Sequence, residues 1–121
     1  MIVIDYSDKR PIYEQIVERF RTLILNGVLE ADEKLPSVRS LAVELSINPN
    51  TIQRAYSELE RNGFIYSVKG RGNFVCGDKT VREHEKEKMM RDLAEQMKIY
   101  KETGITLEEI KKCVREVYGE V

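Results

Sequence analysis

Apolar residues fall in short periodic sets along the chain, and each set predicts an element. Ile2, Ile4 and Tyr6 alternate with Val3, Asp5 and Ser7, the pattern of a short extended arm or edge strand. From Pro11 to Asn26 the spacing changes. Ile12, Ile16, Phe20, Leu23 and Ile24 make one apolar face of a helix that Asn26-Gly27 ends. Val28 to Pro36 is a connection. Ser37 can cap a second helix over Val38–Leu45, whose buried face is Val38, Leu41, Ala42 and Leu45. After a turn at Ser46-Ile47, Asn48-Pro49 is a strong start signal for a third helix. Ile52, Ala55, Tyr56 and Leu59 form its stripe and Asn62-Gly63 its end.

The pattern then switches to a period of two. Phe64-Ile65-Tyr66-Ser67-Val68 and Asn73-Phe74-Val75-Cys76 are β-rich and flank the glycine turn Lys69-Gly70-Arg71-Gly72. Two short helices joined by a tight turn form a helix-turn-helix pattern, and a hairpin directly after it gives the order of a winged helix. Alone, the basic turn reads equally well as an ordinary solvated hairpin or as a contact loop. Beside the helix pair it reads as a DNA-contacting wing.

Beyond Gly77 the chain is rich in Glu and Lys. Met90, Leu93, Met97 and Tyr100 mark one apolar stripe, broken at Glu102-Thr103-Gly104. Thr106 and Glu109 have capping-box spacing, with Ile105 and Ile110 placed for a hydrophobic staple. Leu107, Ile110, Val114 and Val117 carry the last stripe. Two such helices cannot build a core alone. Their stripes pack either on the same tail of a second copy, the favoured reading, or back on the winged domain. The expected organisation is mainly α with a small β hairpin: a winged helix-turn-helix over 1–76 and a helical dimerisation tail over 77–121.

Composition narrows the function. The 121 residues are 41% hydrophobic and 34% charged, which fits a globular fold. No apolar run approaches the roughly 20 residues of a membrane span, and the start lacks a signal-peptide pattern, so a cytoplasmic protein with no membrane partner is expected. The net charge is −1, but Lys34 to Asn73 holds six bases against three acids, so that segment is +3 and the rest −4. A locally positive middle in an acidic chain fits a phosphate-facing patch. Cys76 and Cys113 lie far apart, and the lone His84 sits in a charged run. These residues do not supply the four ligands of a structural zinc site, so no metal or cofactor is expected. No Ser–His–Asp set is apparent, and Gly70-x-Gly72 lacks the rest of a phosphate loop, so the chain does not read as an enzyme.

The stretches Leu35-Pro36-Ser37-Val38-Arg39-Ser40-Leu41-Ala42 and Asn48 to Ile65, the Pro11-Ile12-Tyr13-Glu14-Gln15-Ile16 opening, and Lys69-Gly70-Arg71-Gly72-Asn73-Phe74-Val75 closely resemble the GntR family of bacterial transcription regulators. The likeness covers about Ile2 to Val75. The short two-helix tail resembles the YtrA subfamily, and the length leaves no room for the large effector domains or the aminotransferase-like domain of other members. The resemblance implies transcription regulation by a homodimeric repressor on double-stranded DNA, often at operons for ABC transporters.

Residue roles follow as expectations. The third helix, residues 49–62, would enter the major groove, with Asn50, Thr51, Gln53 and Arg54 outward. Gln53 can pair with adenine and Arg54 with guanine. The resemblance favours Gln53 for sequence choice. Asn50 and Thr51 suit phosphate or short base contacts, and equally suit plain helix-start chemistry. Arg39 matches the family's DNA-contacting arginine, and Ser37 can add a contact at the helix N-terminus. Lys69 and Arg71 would bring charge to the minor groove, with Gly70 and Gly72 allowing close approach. Pro49 departs from relatives with a basic residue there, so their operator preference does not transfer. Two copies would read inverted half-sites about 34 Å apart. A winged helix used for protein or RNA contact is the alternative. No effector is named by the sequence; the tail is too small to enclose a drug-sized pocket.

Overall fold

The computed structural model describes residues 2–119; the expected domain limits at 1 and 121 lie outside them. Three helices come first: α1 (Ile12–Leu25), α2 (Val38–Leu45) and α3 (Pro49–Arg61). Strands β1 (Ile65–Val68) and β2 (Gly72–Val75) follow, then α4 (Lys79–Glu102) and α5 (Leu107–Tyr118). The chain forms two compact units, one through Arg82 and one from Glu83 onward.

The helix ends are set by local chemistry. Ser37 accepts a hydrogen bond from the Ser40 amide at 3.0 Å, and Asn48 accepts one from the Asn50 amide at 2.8 Å. Pro49 then occupies the first turn of α3, where its missing N–H costs nothing. At the other end Gly63 takes φ +82°, and the Gly63 and Phe64 amides return to the carbonyls of Glu60 and Leu59. Those two bonds satisfy carbonyls the helix leaves open. The turn between α2 and α3 is made the same way by a residue with a side chain: Ser46 holds φ +55°, while its amide bonds to Val43 and that of Ile47 to Ala42.

The core of the first unit draws one stripe from each helix. Ile16, Phe20 and Ile24 of α1 meet Leu41 of α2 and Ile52, Tyr56 and Leu59 of α3; Phe64, Ile65 and Val75 close it from the hairpin side. Each such side chain contributes on the order of 1.5–3 kcal/mol when taken fully from water. Phe20 and Tyr56 meet edge to face, with centroids 5.6 Å apart. The Tyr56 hydroxyl donates to the Pro36 carbonyl at 2.7 Å and so ties α3 to the start of α2. Burial pushes the Tyr56 phenol above its usual titration range.

Two segments are settled only by the structure. The N-terminal segment, expected as an extended arm or an edge strand, is an arm without strand pairing among the described residues. Its hydrogen bonds go to a side chain instead of a sheet edge: the buried Gln15 accepts from the Asp5 amide at 3.0 Å and donates to the Asp5 carbonyl at 3.1 Å. Ile2 and Ile4 pack on the core, while Tyr6 stays exposed. The connection before α2, in turn, is partly sheet-like. β1 and β2 pair antiparallel, Ile65 with Val75 through Val68 with Gly72. Lys34 bridges Phe74 on the free side of β2, and the Asp32 and Leu35 amides donate to the Val75 and Asn73 carbonyls.

The second unit holds most of α4 and all of α5. Thr103-Gly104 separates the helices, with Gly104 at φ +93°. Thr106 and Glu109 form the full capping box at the start of α5. The stripe residues Met90, Leu93, Met97, Tyr100, Leu107, Val114 and Val117 are exposed, and Ile110 is half-buried.

Candidate nucleic-acid interface

Helix α3 is amphipathic because its stripe recurs every three or four residues while the intervening positions are polar. Ile52, Ala55, Tyr56 and Leu59 are buried; Asn50, Gln53 and Arg54 are exposed and Thr51 is half-buried. Burying one face of α3 therefore turns the predicted polar set outward. The Gln53 amide donates to Ser57 Oγ at 3.2 Å, one turn on, a solvent-side contact that a base edge can displace.

Arg54 has a different setting. Its guanidinium carbon lies 3.8 Å from the centroid of the Tyr13 ring on α1, close enough for a cation–π contact. Pro11, just before α1, and Ile12 and Tyr13 of α1 line one shallow groove together with Asn50, Thr51 and Arg54 of α3. Arg39 and Pro49 line a second depression with Ala42, Val43, Ser46 and Ile47, so the first turn of α2 adjoins the start of α3. Ser37, beside it, is occupied as the cap of α2 and also bonds Ser40 Oγ at 2.9 Å.

At the wing, the Arg71 amide donates to the Val68 carbonyl at 2.9 Å, closing a tight turn over Lys69-Gly70. Gly70, at φ +78°, takes the third position of that turn, where a side chain is disfavoured. Lys69, Gly70 and Arg71 are all exposed. Arg39, Lys69 and Arg71 enter no ion pair among the described residues, whereas Arg61 is paired with Glu58. An unpaired exposed cation keeps its full attraction for a phosphate.

One wing residue was not among the predicted set. Lys34 comes from the connection before α2 and reaches the hairpin through its bridge to Phe74. Its Cε lies 3.3 Å from where a Cβ on Gly72 would sit. Across the hairpin, Tyr66 stacks on Phe74 at 5.6 Å and donates to Asp32 Oδ1 at 2.8 Å; that bond pushes the Tyr66 phenol up. No local pattern marks Lys34 as part of the wing. The segment's positive balance was the one available signal.

A helix-turn-helix with an exposed polar helix edge, followed by a two-stranded hairpin with a cationic tip, defines the winged helix-turn-helix class. The family described as bacterial regulatory proteins, gntR family, matches residues 12–75, and the chain belongs to it. It is 38% identical to the HTH-type transcriptional repressor YtrA of Bacillus subtilis (strain 168), over 100% of this chain and 95% of that protein. Among solved structures, a GntR family transcriptional regulator from Listeria monocytogenes superposes with a TM-score of 0.78 at 41% identity, over 93% of this chain and 98% of that one. The DNA-binding domain of AraR, solved in complex with operator ORE1, superposes with a TM-score of 0.54 at 29% identity, over 63% of this chain and 93% of that one.

Proposed function

We propose that this chain is a transcriptional repressor that binds an inverted-repeat operator as a homodimer in the cytoplasm. In each copy α3 enters the major groove and the 69–72 turn meets the minor groove. The observation that carries the reading is the set of exposed polar and cationic groups on three consecutive elements: Arg39 on α2, Asn50 and Gln53 on α3, and Lys69 and Arg71 on the wing, with the three cations in no ion pair among the described residues. Gln53 is the residue assigned to base choice, since its amide can pair bidentately with adenine. Arg39, Lys69 and Arg71 supply sequence-independent attraction, with Thr51 and Ser37 as short contacts beside them.

Two further supports come from outside the site. The AraR domain that shares this fold was solved on operator DNA, and the similar Bacillus subtilis protein is named a repressor. The dimer rests on the tail. Leu93, Met97, Leu107, Val114 and their neighbours are apolar and exposed within their own unit, a stripe that a second copy of the same tail would cover.

The test is a mobility-shift titration on the DNA upstream of the protein's own gene, against an unrelated duplex and an RNA of equal length. The reading predicts preference for the upstream duplex and binding that weakens steeply with salt. Equal retention of all three nucleic acids would contradict operator recognition.

A further inference from the structure

The pairing of Arg54 with Tyr13 changes what this arginine does. A guanidinium that reads guanine must present its fork to the base edge in the groove. Arg54 instead rests on the ring of Tyr13, a residue of α1, beside the groove lined by Pro11, Ile12, Asn50 and Thr51. An arginine stacked on an aromatic loses little further freedom when its outer N–H groups meet an anion, because its plane is already fixed. The ring also shields one face of the guanidinium, leaving its edge for a phosphate. Gln53, the residue before it, bonds within its own helix, to Ser57 Oγ.

We infer that Tyr13 is a positioning residue for Arg54, and that the pair forms a phosphate clamp at the α1 side of the recognition helix, while Gln53 is left to read the base. The inference rests on the DNA-binding reading above. It adds α1 to the interface and removes Arg54 from the base-reading set.

The experiment uses the full chain, its selected operator duplex, and single-base-pair variants of that duplex, with affinities measured across a salt series. Arg54→Ala should weaken binding by a similar factor on every variant and lower the slope of log affinity against log salt by about 0.9 per copy. Tyr13→Leu should weaken binding about two- to fivefold on every duplex. It should add almost nothing when Arg54 is already alanine. Tyr13→Phe keeps the ring and should bind as the parent does. Thermal unfolding of each variant checks the fold, and if Tyr13→Leu does not fold, Arg54→Ala alone still decides the clamp.

A loss with Arg54→Ala confined to one base-pair position would overturn the clamp in favour of base reading. Independent, additive losses from the two substitutions would overturn the positioning role. Failure of the parent chain to prefer any duplex would instead defeat the DNA-binding reading itself, so the two failures are told apart by the parent protein.

Discussion

Lys34 crosses the backbone of Gly72: its Cε comes within 3.3 Å of the position a Cβ there would take. The two residues come from segments on opposite sides of the helix-turn-helix. Their meeting follows from the strand-like pairing of the Lys34 segment with β2. The wing therefore carries a third cation at its base, and glycine at 72 lets the lysine stem lie closer than a β-carbon there would allow.

Gly72→Ala should accordingly do more than Gly70→Ala. Both positions have positive φ, so each substitution strains the backbone, by roughly 1–3 kcal/mol. Only at 72 would the new methyl also displace a side chain; nothing lies within 4 Å of the corresponding point at 70. Thermal unfolding should show a loss for both, at least as large for Gly72→Ala. DNA titration should show the larger drop in affinity for Gly72→Ala, and Lys34→Ala, which removes the charge altogether, should lower affinity at least as much without loss of stability.

Base choice and general attraction should separate. Gln53→Ala is expected to relax discrimination at one base-pair position, by about 1–3 kcal/mol. Lys69→Ala is expected to lower affinity on all sequences alike and to flatten the salt dependence. A panel of single-base operator variants distinguishes them, and a uniform loss for Gln53→Ala would remove it from the reading role.

Tyr56 links folding to pH at the alkaline end. Its phenol is pushed up by burial from the ordinary value of 10.0. The unfolded chain releases this proton first as pH rises, so the stabilisation is fully present below the unfolded value and is lost as pH climbs through the folded one. Tyr56→Phe should lessen that alkaline loss. At neutral pH it should cost about 1–3 kcal/mol, because the Pro36 carbonyl loses its partner. Urea unfolding at neutral and alkaline pH measures both effects.

The tail stripe predicts a clean separation of assembly from fold. Met97 and Val114 are exposed within their unit, so Met97→Glu or Val114→Asp should leave helix content unchanged while light scattering shows one copy instead of two. Operator affinity should then fall about 100-fold or more, since each half-site must be bound separately.

Much of the fold is legible because its boundaries are chemical. Ser37, Asn48-Pro49 and the Thr106–Glu109 pair each announce a helix start by hydrogen bonds made within three residues of chain. The wing turn is legible because it needs a glycine at positive φ. What the sequence does not disclose is non-local. Lys34 joins the wing, and Tyr13 meets Arg54, across intervals of chain with no shared periodicity. The alternating arm mimics a strand until the buried Gln15 is seen to hold it.

Selection of bound duplexes from a random DNA pool by the purified protein asks at once for DNA binding, symmetry and spacing. A homodimeric operator reader should enrich a sequence with two-fold symmetry, its half-sites centred one helical turn, about 34 Å, apart or a multiple of it. Recovery of unenriched DNA, or of a single element without symmetry, would contradict the proposed function.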